Sequence, residues 1–103
     1  MQEQAFFAQL DSRLETLIQS VHDGRDAPPM ERYRVEGLMQ AAIVLGLADA
    51  AALYQRMDEL HERVVGQRIA DYYADGMDYQ PAPDATSVTI PLWMARAPVK
   101  PST

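Results

Sequence analysis

The chain has 103 residues, 48% of them apolar, no cysteine, and fifteen acids against nine bases for a net charge of −6; this fits one folded domain and excludes a disordered chain. Missing cysteine excludes disulfides, thiol catalysis and cysteine-ligated zinc, and the acidic balance opposes non-specific binding to phosphate backbones while favouring a basic partner. No apolar run approaches the ~20 residues that cross a bilayer, and MQEQAFFAQLDSRLE has acids where a signal peptide is basic, so a cytoplasmic protein with no membrane partner is expected.

A first helix is predicted over about Gln2 to His22. Phe7, Leu10, Leu14, Leu17 and Val21 alternate spacings of three and four, which gives a heptad-like stripe on one face. Phe6 and Ile18 widen it, and Asp11, Arg13, Glu15 and Gln19 fill the other side. Gly24 suits the left-handed residue that ends a helix, and His22 sits where a cationic imidazole favours the helix dipole.

RDAPP reads as a linker, with Asp26 as cap and Pro28 and Pro29 in the first turn of a second helix running to Leu45. Val35, Leu38, Ala42 and Leu45 make one stripe of that helix, and Met39 with Ile43 makes another. A helix apolar on several faces needs neighbours on several sides, so this one is expected at the centre. Gly46 ends it, and Asp49 caps a third helix carrying Leu53, Met57, Leu60 and Val64. The third helix is expected to continue past Gly66, with a bend or a close crossing there, through Ile69 and Tyr72 until ADGMDYQPAP stops it.

The expected fold is all-α: a three-helix bundle over residues 1–76 with an extended, proline-containing arm over 77–103. In the arm, Val88, Ile90, Leu92 and Met94 alternate with Thr89, Pro91, Trp93 and Ala95, which is the strand period. Pro91 restricts such a segment to a sheet edge or an isolated arm. Leu92, Trp93 and Met94 must be covered, either in the chain's own helical groove or by exchange onto another chain. Small domains bury only ~60% of their unfolded surface, so a homodimer is expected, with the arm adding cover.

Chemistry-bearing motifs are sparse. HERVV begins like HExxH, but Val65 stands where the second histidine belongs, and Asp58, His61 and Glu62 read as a solvated helix face. Asp71, Asp75 and Asp78 lack the alternating order and closing glutamate of a calcium loop. No phosphate-binding glycine loop and no nucleophile elbow occurs in the sequence. Neither catalysis nor a metal or cofactor is expected.

AAIVLGLADAAALYQRM, Ala41 to Met57, resembles the helix-turn-helix of bacterial DNA-binding regulators, with Ala42 and Gly46 at the family's spacing. LADAAALYQ is one residue longer than the family's turn, which rotates the second helix by about 100°. Asp58, Glu59 and Glu62 outnumber Arg56 and Arg63 where a recognition helix needs donors. The resemblance implies a DNA-binding regulator as an alternative function, and an accessory or ligand-binding domain of an enzyme system is a second. The leading expectation is a regulatory protein that binds another protein: an anti-activator or inhibitor sequestering a transcriptional regulator. The alanine-rich, arginine-over-lysine composition suits a bacterial source. Tyr33, Leu53, Tyr54, Met57, Leu92, Trp93 and Met94 are the expected partner-binding anchors.

Overall fold

A computed structural model of the chain describes residues 2–73 and 88–95; of Leu92 and Trp93 it describes the backbone alone. The elements are α1 (Gln2–His22), α2 (Pro29–Val44), α3 (Ala50–Val65) and two short turns of helix, α4 (Ile69–Tyr72) and α5 (Leu92–Ala95). The protein is all-α, three long helices with a C-terminal arm laid against them. No strand occurs among the described residues, and no helix there is long and apolar enough to cross a membrane.

α1 is the central element. Its stripe buries Leu10, Leu14, Leu17, Ile18 and Val21 completely or nearly so, and α2, α3 and α5 all pack on it. The expectation that the second helix is central is corrected by this arrangement. α2 sends Val35, Met39 and Ala42 into the core, with Leu38 and Ile43 half-buried beside them, and leaves Met30, Tyr33 and Val44 exposed. The heptad-like stripe of α1 is consumed inside its own chain.

Helix ends follow local chemistry. The residue before α2 is Pro28, extended at φ −60° and ψ 143°, and Pro29 opens the helix without a side-chain cap; the expected capping role of Asp26 is not what starts this helix. Proline fits because its ring presets the helical φ where an amide hydrogen would go unpaired. At α3 the expected cap holds: Asp49 Oδ1 accepts the Ala52 amide at 2.8 Å.

The third helix does not continue past Gly66. That residue lies at φ 89°, in the left-handed region, and caps α3 with its amide on the Glu62 carbonyl. The chain restarts as α4 because Asp58 Oδ1 accepts the Ile69 amide at 2.9 Å. One carboxylate on α3 thus fixes the direction of the next segment and places Ile69 in the core.

The arm docks on its own bundle. Val88 and Ile90 are buried, as alternation implies, and the exposed Thr89 lies between them. Beyond Pro91 the strand period ends: the Met94 amide bonds the Pro91 carbonyl at 3.0 Å, the chain turns into α5, and neighbouring Met94 and Ala95 are both buried. Proline just before the turn explains the switch, since its fixed φ suits the entry to a helix and its carbonyl accepts the first bond. Four polar contacts hold the segment, one of them the Thr89 amide donating to Tyr54 Oη at 3.4 Å. The Ile90 amide donates to Glu36 Oε2 at 2.6 Å, Tyr73 Oη donates to the Met94 carbonyl at 3.4 Å, and the Ala27 amide donates to the Ala95 carbonyl at 2.7 Å. Residues 88–95 and the three helices share one core.

Ile90→Ala should therefore cost about 2–5 kcal/mol, as for other buried isoleucines, a large part of the ~5–15 kcal/mol of a small domain. Urea unfolding followed by circular dichroism checks this; a loss below ~0.5 kcal/mol would mean the arm does not belong to the core.

Candidate functional site

Two features of the surface stand out from the acidic background. The first is the outer face of α2. Met30 is 65% exposed, Tyr33 61% and Val44 74%, and Leu45 just beyond the helix is 66% exposed. Arg34, Gly37 and Gln40 are the other exposed residues of the helix after Pro29. No acid shares this face. Glu31 turns to Arg13 at 3.1 Å, and Glu36 turns to the arm through the Ile90 amide. Arg32 lies over the Tyr33 ring at 5.0 Å and donates to its hydroxyl at 3.3 Å. Single apolar residues are ordinary on a protein surface; here Met30 and Tyr33 stand at one end of the face and Val44 and Leu45 at the other, with Arg34, Gly37 and Gln40 between them.

The second feature is the way arginines are tied down. Arg56 grips Asp11 with two bonds of 2.6 and 2.9 Å and lies 4.4 Å above the Phe7 ring. Arg63 pairs with Glu15. Arg68, just past α3, holds Glu62 at 2.8 Å and Asp58 at 3.4 Å. The helix that a DNA-binding motif would present to a groove thus spends its cations on acids of α1 and on its own carboxylates. Its outer face carries Gln55, Glu59 and Glu62, and Gln55 donates to Glu59 at 3.2 Å.

Within the fold, His61 departs from the sequence reading. It is 1% exposed, so Asp58, His61 and Glu62 do not form one solvated face. The imidazole follows Met57 by four residues and shares its buried side. Its Nδ1 donates to the Gln67 carbonyl at 2.7 Å; a carbonyl only accepts, so the neutral ring keeps its hydrogen on Nδ1. The rings of Tyr72 and Tyr73 lie 5.2 and 5.8 Å away. Tyr72 reaches on to His22, whose Nδ1 is 3.4 Å from its hydroxyl. Burial pushes the His61 pKa below the ordinary imidazole value of 6.5, and His22 pushes it the same way; the Gln67 carbonyl and the Asp58 charge oppose the shift. Burial, with Tyr72 beside it, raises the Tyr73 hydroxyl to about 12. Both groups are thus neutral near pH 7. Among the described residues no three His, Asp or Glu side chains gather as a metal-holding group.

The expected anchors fall in different places. Tyr33 is on the exposed face of α2. Leu53, Met57 and Met94 are core residues and present nothing to a partner while the fold is closed. Tyr54 is half-buried, its hydroxyl accepting the Thr89 amide at 3.4 Å. The side chains of Leu92 and Trp93 lie outside the described residues, as do Asp75 and Asp78. Met30, Val44 and Leu45 were not among the expected anchors. The available signal was an excess of apolar faces on the second helix, which points to an exposed face as readily as to a central position.

No family model, no curated protein and no solved structure matches this chain.

Neutral His61 predicts a pH dependence of stability. Its folded pKa lies below its unfolded value, so the stability from the neutral ring is complete above pH ~6.5 and is lost as pH falls through that value toward the folded pKa. The urea midpoint should drop between about pH 7 and 5, and His61→Gln should flatten that drop. An equal slope in His61→Gln would assign the effect to other groups.

Proposed function

We propose that the protein acts without turnover, by binding another protein, and that it works as a homodimer. The observation that carries this reading is the acid-free outer face of α2 with Met30, Tyr33, Val44 and Leu45 exposed, while the other large apolar side chains among the described residues are buried or half-buried. Large apolar side chains on a small, strongly charged protein are retained where they bury against a partner.

The favoured target is a transcriptional regulator whose DNA-binding or dimerising surface is basic. The net charge of −6 and the outer Glu59 and Glu62 of α3 complement such a surface and speed encounter with it. In that role the protein is an anti-activator or inhibitor: it covers a surface that the regulator needs. The DNA-binding alternative is supported by the helix–turn–helix order of α2 and α3, but Arg56, Arg63 and Arg68 would have to leave carboxylates to reach phosphates.

The regulator's affinity for its DNA, measured with and without the protein, should fall when the protein is added. Glu59→Lys combined with Glu62→Lys should weaken the complex by roughly tenfold, about 1.4 kcal/mol, and raised salt should weaken the native complex. If the purified protein alone shifts a specific DNA at physiological salt, the helix-turn-helix reading replaces this one.

A further inference from the structure

We infer that the outer face of α2 is a self-complementary surface, and that its occupant is a second copy of this chain packed antiparallel with Gly37 on the two-fold axis. The inference rests on the homodimer reading and gives it a site and a register.

The argument begins with Gly37. Glycine inside a helix costs roughly 0.5–1 kcal/mol relative to alanine. A Cβ built at Gly37 would meet nothing within 4 Å, so packing within the chain does not require the gap. A helix that accepts this cost on an exposed face gains a point where another backbone can approach closely.

The residues around Gly37 are arranged symmetrically. At ~100° per residue, Met30, Tyr33, Arg34, Gln40, Ala41 and Val44 all fall within about 60° of it on the helix surface. An isologous pair sets each residue against its mirror position about the axis. Met30 then meets Val44 of the other copy, both exposed and apolar, about 10.5 Å from the axis along the helix. Tyr33 meets the half-buried Ala41, large against small. Arg34 meets Gln40, whose amide oxygen accepts from a guanidinium. Antiparallel helices also set opposite dipole ends together.

Charge favours this face over the outer face of α3. Two copies of net charge −6 repel. The outer face of α3 would set Glu59 and Glu62 against the same acids, whereas the α2 face sets no acid against acid: Glu31 and Glu36 lie off it and are engaged with Arg13 and the Ile90 amide.

The test uses the full chain. Light scattering at micromolar concentration should give twice the 11.5 kDa chain mass. Gly37→Leu and Val44→Glu, both at exposed positions, should weaken the dimer by roughly tenfold or more with the helical circular dichroism unchanged. Because the chain has no cysteine, Gly37→Cys should form one symmetric interchain disulfide under mild oxidation, and Ser12→Cys on α1 should not. If the native chain is a dimer but Gly37→Cys gives no interchain disulfide and Gly37→Leu and Val44→Glu still pair, the inference is overturned and the homodimer stands. A monomer mass at every concentration would remove both.

Discussion

Everything in this fold depends on one apolar stripe, that of α1. Leu10, Leu14, Leu17, Ile18 and Val21 are the surface on which the second helix, the third helix and the arm each find their cover. A single stripe serves three neighbours because α1 is the longest helix, at 21 residues. α2 and α3 are therefore buried along one side only, and how each treats its other side decides its character. α3 fills its outer side with charge. α2 leaves much of its outer side apolar. The chemistry of the surface follows from which helix holds the centre.

The arm completes this arrangement because three long helices alone leave the core short of material. Val88, Ile90, Met94 and Ala95 enter it as full members. Their attachment uses main-chain amides and carbonyls as much as side chains, and Glu36 is committed to it. That commitment has a second effect: it withdraws an acid from the margin of the outer α2 face and leaves that face without negative charge. Cover of the core and character of the surface are linked through one glutamate.

Much of this was legible in the sequence. The limits of the first helix, the Asp49 cap and the burial of Val88 and Ile90 follow from spacing and capping chemistry that act locally. What was not legible depended on tertiary choices. The second helix has apolar residues on several sides, and periodicity cannot say which of them find partners; Leu45, grouped with Val35 and Ala42 by spacing, ends up exposed. Gly66 reads as a bend or a close crossing in a continuing helix, whereas its left-handed cap ends α3 and the capture of the Ile69 amide by Asp58 starts the next segment. His61 looked like a surface residue because histidine is polar, although its four-residue step from Met57 placed it on the buried side. Pro91 was read as limiting a strand, whereas it starts a helical turn. The core placement of Leu53, Met57 and Met94 follows the usual fate of helically spaced apolar residues.

The bond between the Ala27 amide and the Ala95 carbonyl has a consequence for synthesis. It joins the linker before α2 to a segment 68 positions further along. The chain emerges from the ribosome N-terminus first, so α1, α2 and α3 all emerge before the residues that close their core. Loop closure over such a span is the slow kind of contact. The nascent bundle therefore holds its apolar groove open during translation, and final closure waits for the last buried methionine of the arm. During that interval the chain is most exposed to chaperones, to proteases and to capture by another copy of itself.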